Sequence, residues 1–370
     1  MAAWRETLLL RIVSGQFAGI TAGRWFSLLR ENRYAIDRPY WLRAALVTLN
    51  SLGNSALRRY EDAVYGSRVR NVEVRSPVFV LGHWRSGTTH LHNLLAVDPR
   101  FASPNLYQVV FPHTFLSTEA IGSRLLAPLV PKRRLGDNVA QHLGMAAEDE
   151  FALCASTLRS PYLCWSLPRR AEHYARYLTF RGVPQCEIDE WKAGLKRFLQ
   201  KLTWKHRRPL ILKSPTHTCR IRLLLELFPD ARFIHVHRNP YVVFLSTRHR
   251  RNTVAEYFRL QRSNGLNDER LLRRYTEMYD QFFAERPLIP ARRYHEVAFE
   301  DLERDPLGQL RDIYAALDLP DFSEVETPMR RHVESLAGYQ TNQYPELPPA
   351  LRSRIGSAWR RSFDEWGYEL

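Results

Sequence analysis

Residues 77–95 constrain the fold more than any other stretch: Pro77-Val78-Phe79-Val80-Leu81-Gly82-His83-Trp84-Arg85-Ser86-Gly87-Thr88-Thr89, continuing His90-Leu91-His92-Asn93-Leu94-Leu95. The apolar run ended by Gly82 reads as a buried parallel strand, and the apolar periodicity after Gly87 reads as a helix. Gly82 and Gly87 have the GxxxxG spacing of a phosphate cradle. Glycine lets backbone N–H groups converge on phosphate oxygens, and the helix N-terminus adds its positive end. Strand, glycine loop and helix in that order are the setting such a motif requires. A nucleotide triphosphatase carries Lys directly after the second Gly. That position is Thr88 here, and the loop's cation is Arg85 instead. A cation inside the loop can meet a bond being broken, and Thr88 and Thr89 suit a single 5′-phosphate without a metal.

Leu210-Ile211-Leu212 and Arg232-Phe233-Ile234-His235-Val236 read as two more buried strands, each followed by a polar loop and a helical pattern. The alternation predicts an α/β sheet with crossover connections and a ligand at the carboxyl ends of its strands. After the third strand, Arg238 closes the run, Pro240 suits the first turn of a helix, and Ser246 follows. Two helical turns rise about 11 Å, so Arg238 and Ser246 meet one anion only if the loop folds back over it. Phe111 to Lys205 reads as helical without clear strands, and Tyr294 to Leu370 as one strand-like piece and helices. The expected organisation is a basic helical segment, 1–70, preceding a single domain, 71–370.

Of 370 residues, 45% are hydrophobic, which excludes a disordered chain, and 54 Lys and Arg against 39 Asp and Glu leave +15. The excess implies anionic partners: nucleic acid, a membrane surface or a phosphorylated small molecule. Basic residues are mixed with acids along the chain, which argues against a nucleic-acid arm. Cys154, Cys164, Cys186 and Cys219 form no CxxC pair, so they read as buried or inert thiols in a reducing compartment rather than a zinc or disulfide framework. Residues 1–70 hold eleven Arg against five acids, net +6, with Trp4, Trp25, Phe26, Tyr40 and Trp41 interspersed. Such a segment either packs as a helical layer on the main domain or makes a peripheral contact with an anionic bilayer. Arg5, Glu6 and Arg11 leave too short an apolar run for a secretory signal, and no window approaches a membrane span. The expected location is cytoplasmic, or peripheral at the inner membrane surface.

Taken together, these segments resemble a known family. PVFVLGHWRSGTTHLHNLL resembles the 5′-phosphosulfate loop of sulfotransferases that use 3′-phosphoadenosine 5′-phosphosulfate (PAPS), and FIHVHRNPYVVFLS resembles their 3′-phosphate motif. Leu212-Lys213-Ser214-Pro215-Thr216-His217 is similar to the KS/KT segment between them. Phe299-Glu300-Asp301-Leu302 with Asp305-Pro306-Leu307 is similar to a stretch common in bacterial-type members. The resemblance covers about Ser76 to Arg250 and extends toward the end through the stretch at 299–307. It implies a three-layer sandwich with a central, mainly parallel sheet of the P-loop-NTPase-like sulfotransferase fold, plus the helical N-terminal segment. It further implies an enzyme that moves a sulfuryl group from PAPS to a hydroxyl acceptor without a metal. Carried over by position, Arg85, Ser86, Gly87, Thr88 and Thr89 hold the 5′-phosphosulfate, and Arg238 and Ser246 the 3′-phosphate. His90 stands where cytosolic members often carry a Trp against adenine. Tyr339, in the loop Ala337 to Tyr344, stands where a second 3′-phosphate loop is often found. His83 and His237 adjoin the two anion motifs.

Sulfuryl transfer to an alcohol gathers negative charge on the bridging oxygen of the leaving group, where Arg85 and Lys213 are placed to meet it, and requires a base on the acceptor side. Cytosolic members carry that base as His directly after the KS/KT pair. Pro215 occupies the position here, and His217 follows two residues later. Heparan- and tyrosine-modifying members use a Glu past the first loop, but residues 101–107 hold no acid. The remaining candidates are His217 and the cluster Glu148-Asp149-Glu150, which opens a helical pattern and would also complement a helix N-terminus. The acceptor reads only as a small molecule, lipid or glycan hydroxyl, with Phe111 to Leu167 as its expected cleft. Two rival readings are a phosphoryl-transfer enzyme on the same loop and a basic phosphate- or membrane-binding module without catalysis; nucleic acid is not an expected partner.

Overall fold

The computed structural model describes residues 16–130, 142–263, 267–336 and 344–370. In chain order, its principal elements begin with α1 (Ala22–Glu31), α2 (Trp41–Arg70), β1 (Val78–Leu81) and α3 (Thr88–Leu95). The middle of the chain contributes α4 (Glu150–Thr157), α5 (Gln185–His206), β2 (Ile211–Lys213), α6 (Ile221–Leu227), β3 (Arg232–His237) and α7 (Pro240–Phe258). The last part adds α8 (Asp268–Glu285), β4 (Tyr294–Ala298), α9 (Phe299–Arg304), α10 (Pro306–Ala316), α11 (Ser323–Ser335) and α12 (Arg360–Trp366). These elements form two compact units drawn from interleaved segments. One contains the described residues of 1–74, 104–207 and 252–265; the other contains those of 75–103, 208–251 and 266–370. The basic segment before residue 70 therefore shares its unit with the middle helices.

The second unit is built on a four-stranded sheet in the order β2-β1-β3-β4, with every pairing parallel. β1 lies inside the sheet because Val78, Phe79, Val80 and Leu81 are all apolar and all buried, as a strand covered on both faces requires. Side chains alternate faces. Val78, Val80, Ile211, Ile234, Val236 and Val297 pack against Leu91, Leu94 and Leu95 of α3 and Leu310 and Ile313 of α10. On the other face, Phe79 stacks on Phe233 at 5.7 Å, and His235 stacks on Phe282 of α8 at 4.2 Å. Helix, sheet and helix make the three expected layers. In the register, Val80 pairs with Lys213 and Leu81 with His235, so the loops after β1, β2 and β3 leave the same edge.

In the first unit, α2 is held by its polar inner face. Asn54 Nδ2 donates to the carbonyls of Ala18 and Ile20 at 2.7 and 3.0 Å, and Lys201 of α5 meets Glu61 at 2.5 Å. Glu61 also accepts the Ser117 N–H at 2.9 Å. Burial lowers the Lys201 ammonium to about 8 even though Glu61 opposes the shift. Cys154, Cys164 and Cys219 are buried, and burial pushes the Cys154 thiol up to about 12. Cys186 departs from the expected burial and is exposed at the start of α5.

Candidate active site

The loop from Gly82 to Gly87 is shaped by two left-handed glycines, Gly82 at φ +140° and Gly87 at φ +99°. A Cβ on Gly82 would lie 2.4 Å from the Val236 carbonyl oxygen, and one on Gly87 would lie 2.0 Å from Phe299 Cδ2, so neither position admits a side chain. Arg85 also has positive φ, 74°, a conformation non-glycine residues adopt at a cost of about 1–3 kcal/mol and one that clusters at ligand sites. The loop is pinned from within and from neighbouring strand exits. Ser86 Oγ donates to the His83 carbonyl at 2.8 Å, the Gly82 N–H donates to Thr218 Oγ1 at 2.7 Å, and the His83 N–H donates to the Tyr279 hydroxyl at 3.3 Å. His83 is buried, and its Nδ1–H donates to the Trp84 carbonyl at 2.7 Å. Burial lowers its imidazole to about 4 despite that bond, so it is neutral near pH 7.

The two anion motifs meet. Arg85 Nε donates to Ser246 Oγ at 2.8 Å, which joins the loop after β1 to the helix after β3. Arg238 lies over the Phe299 ring, 4.2 Å from its centroid. Burial draws its guanidinium below the ordinary value, Glu300 and Glu303 oppose that, and the positive charge of Arg85 adds to it. A guanidinium lowered in part by the charge of a second one marks a place for an anion. From β2, Lys213 is buried and its Nζ donates to Thr89 Oγ1 at 3.3 Å, bringing a third cation to the start of α3. Ser86 and Thr88 are buried within the same loop. His90 meets Phe299 edge-on at 6.2 Å, and burial, with a smaller contribution from His332, lowers its basicity.

Several contacts here have no counterpart in the sequence reading. Phe299 underlies both loops, touching the position of Gly87 and the guanidinium of Arg238. Glu300 accepts the Asn239 N–H at 3.1 Å and the Tyr368 hydroxyl at 2.8 Å, which anchors the turn carrying Arg238. Phe299 and Glu300 begin the stretch noted for its resemblance, which was the only signal that could have found them. In the loop 337–344, Tyr339 lies outside the described residues, whereas Tyr344 donates its hydroxyl to Ser246 Oγ at 2.9 Å. His237, beside Arg238, stacks on Trp366 at 4.9 Å and bonds the Tyr368 hydroxyl through Nδ1 at 3.0 Å.

The base candidates sit in different surroundings. His217 lies in a turn at Pro215–Cys219, fully buried, with its ring edge-on to Phe79 at 5.3 Å, the packing of a core side chain. Glu148 and Glu150 belong to the first unit. Glu150 is fully buried at the start of α4 and accepts the Ser160 hydroxyl at 2.6 Å. Glu148 is half-buried and accepts the Tyr162 hydroxyl. Among the described residues, no group of three or more His, Cys, Asp or Glu is placed to hold a metal ion.

Comparison with known proteins agrees with this geometry. A profile of the sulfotransferase family matches residues 77–324. The omega-hydroxy-beta-dihydromenaquinone-9 sulfotransferases Stf3 of Mycobacterium bovis and Mycobacterium tuberculosis are each 37% identical to the chain over 372 aligned positions, covering 100% of it and 94% of the relative. Among solved structures, sulfotransferase STF9 from Mycobacterium avium superposes with a TM-score of 0.64 at 23% identity, covering 95% of this chain and 98% of its own. Sulfotransferase STF1 from Mycobacterium tuberculosis does so with a TM-score of 0.62 at 19% identity and 91% of each chain. The structural likenesses establish the fold. The family match sets aside the phosphoryl-transfer reading and the reading as a module without catalysis. With the loop after β1 and the helix after β3 joined through Arg85 and Ser246, the chain belongs to the sulfotransferase family and is an enzyme that moves a sulfuryl group from PAPS to a hydroxyl acceptor.

Proposed function

We propose that the acceptor is the terminal hydroxyl of a lipid-like alcohol, that the reaction needs no metal, and that the two loops divide the donor between them. The observation that carries the acceptor class is the full-length similarity to enzymes whose names specify an omega-hydroxylated dihydromenaquinone-9. PAPS, when bound, supplies an activated sulfuryl group on a leaving 5′-phosphate. The cradle fits that group: two glycines whose side-chain space is closed, two hydroxyls at the head of α3, and paired guanidiniums. Arg85, Ser86, Gly87, Thr88 and Thr89 would hold the 5′-phosphosulfate; Arg238, Ser246 and Tyr344 would hold the 3′-phosphate. His90 would lie along the adenine. Arg85 and Lys213 stabilise the charge that develops on the leaving oxygen, and Arg85 acts as a fixed charge because a guanidinium does not give up its proton.

The acceptor's proton passes to a base, with Glu148 and Glu150 as the carboxylate candidates. Glu148 is the half-buried one of the two, while Glu150 is fully buried and accepts the Ser160 hydroxyl. Tyr162 orients Glu148 through its hydroxyl. His217, sealed against Phe79, serves the core. Incubation with labelled PAPS and a panel of polyprenyl-quinol, glycan and phenol alcohols, followed by mass detection of the added sulfuryl group, tests the assignment. Sulfation confined to glycans or phenols would refute the lipid class, and loss of activity with a chelator would refute the metal-free step.

A further inference from the structure

The helix α2 carries a face that the described residues leave uncovered. Trp41, Leu42, Leu49, Leu52, Leu57 and Tyr60 are 59, 61, 64, 55, 42 and 58% exposed, and between Trp41 and Leu57 the only exposed polar residue of the helix is Asn50. At 100° per residue these positions fall within one side of the helix, and over about 20 residues they run for about 30 Å. The exposure follows from how the helix is seated. Asn54 and Glu61 on the opposite side are buried in bonds to Ala18, Ile20, Ser117 and Lys201, so the apolar side cannot rotate inward. A continuous apolar surface of this extent is rare on a soluble monomer and marks an interaction site.

Its margins identify the partner. Exposed arginines stand at both ends, Arg38 before the stripe and Arg58, Arg59, Arg68 and Arg70 at and beyond its far end, while the one exposed acid of the helix, Asp62, is bridged to Arg58 and Arg197. Trp41 and Tyr60 lie near the two ends, where amphipathic rings sit at a lipid headgroup boundary, and the Trp41 indole already donates to the Ile36 carbonyl at 3.1 Å. A second copy of the chain fits poorly. A two-fold pairing with these helices antiparallel would set the Arg38 end of one against the Arg58–Arg59 end of the other, like charge against like. No helix among the described residues is long and apolar enough to cross a membrane, so the geometry is that of a helix lying in the interface. We propose that the exposed face of α2 docks the enzyme on an anionic phospholipid bilayer, with its apolar side chains among the acyl chains and its flanking arginines on the headgroups.

The test is co-sedimentation of the full chain with vesicles of phosphatidylcholine containing phosphatidylglycerol, against phosphatidylcholine alone. The docking predicts binding to the anionic vesicles that weakens in salt and drops at least tenfold in L49E/L52E, with an intermediate loss in R38E/R59E. Both variants alter exposed side chains, so their melting temperature and their affinity for 3′-phosphoadenosine 5′-phosphate should match the unaltered protein. That control separates loss of docking from loss of fold, and it leaves the acceptor assignment untouched. Protein that remains in the supernatant with anionic vesicles, or L49E/L52E that still binds them, overturns the proposal. So does light scattering that shows a dimer dissolved by L49E/L52E without vesicle binding.

Discussion

Arg85 Nε and Ser246 Oγ, 161 residues apart in sequence, are 2.8 Å apart in the fold. One belongs to the loop after β1 and the other to the helix after β3, so a single hydrogen bond ties the two segments together. Tyr344 reaches the same hydroxyl, and Arg238 lies within electrostatic range of Arg85.

Removing Arg238 should therefore cost more than removing Ser246. Both would bond a charged phosphate, but only the guanidinium brings an opposite charge and a bidentate fork to it. Isothermal titration with 3′-phosphoadenosine 5′-phosphate should show R238A weakened at least tenfold and S246A about fivefold. Equal affinity in R238A would remove Arg238 from the site.

Gly87→Ala should abolish donor binding, because its Cβ enters the Phe299 ring and its φ of +99° is unfavourable to any side chain. Adding Phe299→Ala relieves the collision but not the backbone strain. The double variant is expected to recover folding stability in a denaturant melt without regaining full affinity. A fully active Gly87→Ala enzyme would contradict the packing.

Glu148→Gln should lower turnover at least a hundredfold, on the usual scale of base removal, with donor affinity retained. Glu150→Gln, which alters the fully buried carboxylate bonded by Ser160, should lower it less. Single-turnover assays at saturating donor distinguish the two, and unchanged turnover in Glu148→Gln would return the base to another residue.

Glu300→Gln should act through Arg238. Glu300 accepts the Asn239 N–H and the Tyr368 hydroxyl, so its change loosens the turn that presents the guanidinium. The expected signature is a KM for PAPS raised severalfold with kcat largely kept; a selective fall in kcat would contradict a positioning role.

Stability should fall on the acid side of neutrality. Burial holds His83 and His237 near about 4, below the ordinary 6.5, so the unfolded chain takes up their protons first. Their contribution is complete above pH 6.5 and is lost as the pH falls toward 4, with a slope of up to about 2.7 kcal/mol per pH unit for the two together. Burial raises Glu296, but its bond with His235 outweighs this and brings it to about 2, so its share is lost between 4.5 and 2. Urea melts at pH 7.5, 6 and 5 should show a midpoint that drops at each step. A flat profile would place both imidazoles in solvent.

The parts of this protein legible in its sequence are those whose physics is local. A strand buried on both faces must be apolar throughout, a phosphate turn must carry glycine where φ is positive, and a helix after such a turn must open with small polar residues. Residues 77–95 and 232–246 meet these conditions within their own stretch, so β1, β3 and the helices that follow them are legible there. What only the tertiary structure decided depends on partners far along the chain. Phe299 and Glu300 support loops separated by 150 residues, Tyr344 rather than a neighbour reaches Ser246, and His217 turns into the core against Phe79. The basic, aromatic segment before residue 70 carried two readings at once. The structure shows one side of α2 seated by Asn54 and Glu61 and the other left bare, because periodicity reveals that a helix has two faces but only the packing of its polar side determines which one meets solvent.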